Sequence, residues 1–376
     1  MTLAMDCREL VPGSMTGIGR FLRGILDEVA HNRPHLPTVA IGAPHTAIPV
    51  RASHLTVYRL PRRPGPYVDQ ILLPRVMRQI RATAFFSPYY KAPLAAPCDT
   101  AVTIHDLIPV SFPEYTAGWG RGYALAFRAW AALLAGRATF VITDSEYSKT
   151  EVTRRLRIPP ARVRVIPIGV GAEFHPDHRP EEIASVARRY GIGDPYLLAV
   201  GNFLPHKNLV RLVEAYAALP QAEAARVRLV LAGTPRGHGP ARPVSRDALA
   251  RPGVILPGFV APEDLPLLYA GATALVCPSL VEGFGLPVLE AMACGTPVVC
   301  ARAGALPEVA GDAAVYVDPA DVSDIAAALR RILDDADLRL TLRARGIVRA
   351  RAFDPRTTTA RLVDLLESLA SGPGGR

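Results

Sequence analysis

The segment from Pro278 to Val299, PSLVEGFGLPVLEAMACGTPVV, constrains this chain more than any other. The apolar run ATALVCPS reads as a strand that leads into it. GFG then reads as a tight turn, and Pro287 suits the first turn of a helix, where its missing N–H costs nothing. Gly283 and Gly285 lack a Cβ, so the backbone there can come close to a ligand. Gly295 closes the helix and VVC opens the next strand. A strand, a tight turn and a helix N-terminus aim N–H groups and the positive end of a dipole at one point, which is an anion site. Two carboxylates, Glu282 and Glu290, bracket the turn. A ligand that is anionic in one part and rich in hydroxyls in another meets both demands, and a sugar nucleotide is such a ligand. The plainer reading is a buried strand–helix unit with two solvated or capping glutamates.

At 376 residues the chain is too long for one ordinary domain and suits two α/β domains. Apolar residues make up 49%, enough for two sizeable cores. No run of 18 apolar residues occurs, so no spanning helix is expected, and MTLAMDCREL lacks the pattern of a signal peptide. Cys7, Cys98, Cys277, Cys294 and Cys300 are scattered, with no CxxC pair and an odd count. That argues against a disulfide framework and for a reducing cytoplasm. Abundant Arg, Ala and Pro with scarce Lys suggest a GC-rich bacterial source.

The charge is unevenly placed. Residues 1–180 hold 22 Lys/Arg against 13 Asp/Glu, and residues 181–376 hold 21 against 21, so the whole +9 sits in the first half. Solvation is the plain explanation. The functional one is an anionic partner, a lipid diphosphate or the inner membrane face, met peripherally by Arg62, Arg63, Arg75, Arg78 and Arg81. Nucleic acid is not expected, because the basic residues are spread out and no recognition motif accompanies them.

Strands and helices alternate along both halves, which predicts parallel sheets covered on both faces. In the first half a Gly-rich loop, Pro12–Arg20, precedes a helix. Tyr67–Ala82 reads as a basic helix interrupted by Pro74, AVTIHDLIP as a strand ending at His105 and Asp106, and Tyr123–Leu134 as a long helix. The stretch GAEFHPDHRPEE from Gly171 reads as a linker, giving domains 1–177 and 178–356. A last helix covers about 357–370, and the tail SGPGGR is expected to lack order.

Ligands of open α/β sheets bind beyond the carboxyl ends of strands. Three further loops leave strands with polar content. Gly17 and Gly19 sit before a helix, although the spacing is not a dinucleotide fingerprint; an ordinary tight turn is the alternative. His105 at a strand end places an imidazole near a sugar hydroxyl or a developing charge, against a merely structural histidine. VGNFLPHKN, Val200–Asn208, reads as a second anion site in which Lys207 offers a point charge. No DxD carboxylate pair for a metal is present.

The spacing of Glu282 and Glu290 around GFGLP, with EAMACGTPVV after it, resembles the nucleotide-sugar signature of retaining glycosyltransferases of family four. GIGRF, HDLIP and GNFLPHKN extend the resemblance to roughly residues 6–355. It implies the GT-B fold, two doubly wound Rossmann-like domains facing a cleft. The first would bind the acceptor, the second the nucleotide sugar, and the final helix would cross back onto the first. It implies a metal-independent hexosyltransferase without a cofactor. GDP-mannose leads as donor, with a saccharide or lipid-linked acceptor of bacterial polysaccharide or glycolipid assembly. His105, Lys207 and Glu282 would be catalytic. Gly17, Gly19, Asn202, His206, Lys207, Glu282, Gly283, Phe284, Gly285, Leu286 and Glu290 would bind the nucleotide sugar. Within that set Glu290 takes the ribose, Glu282 takes the sugar, and the N–H groups of Phe284, Gly285 and Leu286 meet the phosphate or the sugar. The chain departs from the pattern at Asn202 and His206, where many members carry arginines. Either His206 is partly protonated, or the helix N-terminus carries more of the load. Two rivals use similar folds: a non-hydrolysing sugar-nucleotide epimerase, whose catalytic carboxylate and histidine set is not found here, and a non-catalytic nucleotide-sugar-binding subunit.

Overall fold

The structure, a computed structural model, describes residues 1–11, 17–112, 120–235 and 242–372. It divides into unit 1 (Met1–Leu107, Ala126–Gly169, Asp354–Arg376) and unit 2 (Ile108–Leu125, Val170–Phe353).

Unit 1 is built on strands β1 (Leu3–Asp6), β2 (Thr38–Gly42), β3 (Leu55–Arg59), β4 (Ala84–Ser87), β5 (Asp99–Thr103), β6 (Phe140–Thr143) and β7 (Val163–Val165). They form one parallel sheet in the order β3-β2-β1-β4-β5-β6-β7. The central strands are buried on both faces, as LAMD and AFFS require. On one face, helix Gly17–Asn32 presents Leu22, Ile25, Leu26 and Val29, a helical stripe, to Leu362, Val363 and Leu366 of helix Pro355–Ser371. The two helices also share the ion pair Arg33–Asp364 near one end. On the other face Leu73, Val76, Met77 and Leu134 fill a separate cluster.

Two local expectations are corrected. Gly17 and Gly19 do not precede the helix but lie in its first turn, with Gly19 buried; residues 12–16 of that loop fall outside the described residues. The 67–82 segment is not broken at Pro74. A π-turn, Val68–Leu72, comes before helix Leu73–Gln79, and the Leu73 N–H donates to the Val68 carbonyl. A proline inside a regular helix meets the carbonyl four residues back, and the wider turn moves that carbonyl away.

Unit 2 repeats the plan with β8 (Tyr196–Val200), β9 (Arg228–Ala232), β10 (Val254–Gly258), β11 (Ala274–Cys277), β12 (Val298–Ala301) and β13 (Ala314–Val317). All are parallel, in the order β10-β9-β8-β11-β12-β13. Helices Leu209–Ala217 and Val322–Asp334 cover one face through Leu212, Val213, Leu329 and Ile332. The strand order reverses between β8 and β11. The loops leaving these two strands therefore diverge, and a crevice opens at their carboxyl ends.

Candidate functional site

The two loops that flank this reversal carry the residues singled out in the sequence. After β8 the chain turns at Gly201 (φ 150°), passes the exposed Asn202, and makes a short 3-10 turn, Pro205–Lys207. After β11 it runs through Ser279 and Glu282 to Gly285, whose φ of 110° suits glycine and caps helix Leu286–Ala293. Pro287 lies in the first turn of that helix and Gly295 (φ 73°) follows its end. The Leu280 N–H donates to the His206 carbonyl at 2.7 Å, joining the loops.

Lys207 Nζ lies 2.6 Å from Glu282 Oε1, and both side chains are largely buried. The resemblance gives Lys207 to the diphosphate and Glu282 to the donor sugar; the fold pairs the two side chains directly. Burial works against the charged form of Glu282. The nearby Lys207 ammonium outweighs it and holds the carboxyl below the usual range. His206 is also buried. Desolvation first, and then the Lys207 charge, lower its pKa to about 4. Both influences disfavour the His206 cation, so Lys207 is the main positive group of its loop.

Glu290 goes elsewhere. It is buried on helix Leu286–Ala293, and its Oε2 accepts from the Tyr269 hydroxyl at 2.9 Å. Phe284 turns its ring inward, edge-on to Phe353, so only its backbone faces the turn. The N–H groups of Gly285 and Leu286 open the helix, where intrahelical acceptors are lacking, whereas those of Val288 and Leu289 already donate to the Gly285 carbonyl.

Three supporting residues escaped the sequence reading. Asn208 adopts a left-handed conformation (φ 59°), and its Nδ2 donates to the carbonyls of Pro278 at 3.0 Å and Pro319 at 2.7 Å. It thereby fastens the ends of β11 and β13 to the Lys207 loop. Gly304 packs so closely on Glu282 that a Cβ would stand 2.5 Å from the Glu282 carbonyl oxygen. Tyr269 orients Glu290. An asparagine just before a helix signals a cap, but the Asn208 side chain makes no capping hydrogen bond; the contacts of Gly304 and Tyr269 join distant segments and left no signal.

In unit 1 the strand ends hold two more charged groups. His105 lies past β5. Its Nδ1 is 2.6 Å from Asp144 Oδ2, past β6, and its Nε2 is 3.0 Å from the Pro88 carbonyl, past β4. Burial disfavours the cation, but Asp144 wins and the pKa is raised. Both ring nitrogens face acceptors, an arrangement that only the imidazolium satisfies. Asp144 was not foreseen, since adjacency of β5 and β6 is what brings it there. Past β1, Arg8 bridges Asp6 (2.6 Å) and Asp69 (2.7 Å). Among the described residues no cluster of three or more metal-ligating side chains occurs.

Two doubly wound units, the second with a charged crevice at its strand reversal, define the GT-B architecture. Residues 16–174 match the family Glycosyltransferase Family 4, and residues 186–349 match Glycosyl transferases group 1. The chain therefore belongs to the glycosyltransferases, with a family 4 first half and a group 1 second half. The O-antigen chain mannosyltransferase B of Escherichia coli is 36% identical over 234 residues, which is 62% of this chain and 61% of that protein. The chain thus matches less than two thirds of that relative. Sucrose-phosphate synthase from Thermosynechococcus elongatus superposes with a TM-score of 0.77 at 21% identity, covering 99% of both chains. HepE from Anabaena, in complex with UDP-glucose, gives 0.74 at 19% identity, covering 98% of this chain and 100% of that one. These two likenesses concern the fold.

Proposed function

We propose that this chain is a retaining, metal-independent hexosyltransferase. It would move a sugar from a nucleotide donor, GDP-mannose first among candidates, to a saccharide or lipid-linked acceptor in the cytoplasm. The observation that carries this reading is the Lys207–Glu282 ion pair beside the Gly283–Leu286 turn. A lysine and a glutamate that hold each other beside this turn can exchange partners. On donor entry the Lys207 ammonium turns to the diphosphate and Glu282 turns to the hydroxyls of the sugar. The helix-opening N–H groups take up further phosphate charge. Glu290, steadied by Tyr269, takes the ribose. Asn202, His206, Gly17 and Gly19 belong to the same reading as donor-side contacts, with His206 acting as a neutral group.

The reaction breaks the bond between the anomeric carbon and the diphosphate oxygen. The acceptor oxygen bonds to that carbon on the face the leaving group vacates, and the departing phosphate takes the acceptor's proton. Groups aimed at the developing phosphate charge supply most of the rate in such a step. His105 would contribute through its charge, since both of its ring nitrogens are already engaged. The mannosyl preference is supported by the mannosyltransferase relative, whereas the HepE neighbour holds UDP-glucose.

A thermal-shift panel of nucleotide sugars tests the donor. A ligand at 100 times its Kd stabilises by about 2.7 kcal/mol. GDP-mannose should shift Tm more than UDP-glucose does. A larger shift with UDP-glucose would replace the donor, and no shift with any nucleotide sugar would overturn the reading. Proton NMR of the first product then reports retention or inversion at the anomeric carbon.

A further inference from the structure

Helix Ala336–Arg351 of unit 2 turns Leu342, Gly346 and Ala350 inward. Gly346 lies against Met292 of helix Leu286–Ala293, where a Cβ would stand 3.2 Å from the methionine side chain. The outer side of the helix carries an apolar stripe that nothing among the described residues covers. Leu340 is 65% exposed and Val348 66%, and Ala344 and Ala352 are exposed between and beyond them. A spacing of four residues keeps these side chains on one face. Beside the stripe an open depression of about 480 Å³ is lined by Ala344, Val348 and Ala352, with Asp312, Arg345 and Arg349 around them.

The charges of this helix are ordered along its length. Four of its five arginines are engaged. Arg339 donates to the Ile332 and Leu333 carbonyls, Arg343 to that of Gly295, and Arg349 to those of Glu308 and Val309, while Arg345 pairs with Asp312 at 3.4 Å. Among the described residues, Arg351 in the last turn and Asp337 in the first turn have no charged partner, and both are exposed. Asp337, Ala344 and Arg351 stand seven residues apart, two helical turns each, so they share the face of the stripe. From its start that face offers an acid, Leu340, Ala344, Val348 and a base. Turned end for end, the same order sets base against acid and valine against leucine, with alanine against alanine in the middle. A face complementary to its own reverse suits a second copy of itself, whereas an unrelated partner places no such demand on it.

We propose that this face is the contact between two copies of the chain, with the two helices antiparallel about a two-fold axis near Ala344. Ala344 meets its counterpart, and its small side chain lets the helices approach closely. Leu340 of each copy enters the depression beside Val348 of the other, and Asp337 of each meets Arg351 of the other. Antiparallel helices also set opposite dipole ends side by side. Arg345, at the edge of the face, brings no repulsion, because Asp312 already balances it. One helix pair is a small interface, so the dimer is reversible, with a Kd in the micromolar range.

Sedimentation velocity of the full chain from about 1 to about 100 μM tests this. The native chain should pass from monomer to dimer across that range. Asp337→Arg and Arg351→Glu should each weaken association roughly tenfold or more, since each turns two attractive contacts into repulsive ones. The variant carrying both substitutions should recover the native dimer. An equimolar mixture of the two single variants should form dimers that neither forms alone. Arg62→Glu, an equal charge change at an exposed site in unit 1, should leave association unchanged. Leu340→Ser should weaken association several-fold at any salt concentration, whereas the losses from the two charge substitutions should shrink at high salt. Circular dichroism checks that each variant is folded. A native chain that stays monomeric at about 100 μM would overturn the proposal and leave the face to a different partner. A dimer indifferent to both single charge substitutions, or one that the combined variant fails to recover, would place the contact elsewhere on the molecule.

Discussion

Two histidines lie past the ends of parallel strands, one in each unit, and the fold shifts their pKa values in opposite directions. His105 in unit 1 shares a proton-rich contact with Asp144 and Pro88, and its pKa is raised. His206 in unit 2 lies next to Lys207, and its pKa is lowered to about 4. Burial opposes the cation in both places. The sign of the nearest charge decides the outcome: a carboxylate overcomes desolvation, and an ammonium adds to it. A histidine past a strand end is therefore not one kind of group, and the two units place positive charge by different means. Unit 2 relies on a lysine paired with a glutamate, and unit 1 on an imidazolium clamped between two acceptors.

The largest effect expected from disturbing this arrangement is at Lys207. Lys207→Ala leaves Glu282 buried without its partner, which typically costs about 3–5 kcal/mol. Urea unfolding should show the loss, and adding Glu282→Gln should recover much of it. Turnover should fall by about two to three decades in the single variant, as when other charge-stabilising groups are removed. A folded, fully active Lys207→Ala enzyme would break the comparison, because unit 2 would then hold its charge elsewhere.

The pH response sharpens it. His206 stays neutral in the folded chain down to about pH 4, while the unfolded chain takes up that proton below the ordinary histidine value of about 6.5. The unfolded state thus binds more protons over this window, and stability falls as the pH drops from 6.5 towards 4, by up to roughly 3 kcal/mol. His206→Gln should flatten the slope. An unchanged slope would mean that His206 titrates normally.

His105 works in the other direction. Its raised pKa contributes stability below 6.5 that is lost as the pH rises through the folded value. Asp144→Asn should cost about 1–3 kcal/mol near neutral pH. It should also move the His105 NMR titration to lower pH. If His105 titrates alike in both proteins, Asp144 is not what keeps it charged.

The smallest effect belongs to metal removal. With phosphate charge met by Lys207 and helix-opening N–H groups, activity should be the same in excess EDTA as without it. Loss on chelation that Mg²⁺ restores would show that unit 2 needs a third source of positive charge.

Much of this molecule was legible from one dimension. Apolar runs alternating with helical stripes gave two parallel sheets, and Gly285, Pro287 and Gly295 marked the turn, start and end of the site helix, because each acts through its own backbone. Pro74 misled, since a π-turn is a wider hydrogen-bonding pattern that no residue type announces. The roles of Gly17 and Gly19 were shifted by a turn because helix starts are weakly encoded.

The chain by itself determined which residues are chemically able to act: Lys207, Glu282, Glu290, His105 and His206 stand out by type and by place after strands. Only the tertiary structure decided what each one is. Strand order, β8 beside β11, brought Lys207 to Glu282 across 75 residues, and β5 beside β6 brought Asp144 to His105 across 39. Coulomb energy depends on distance through space and on the burial of both partners, neither of which sequence separation records. Charge state, and with it the chemistry of each site, therefore emerged only when the sheets were assembled.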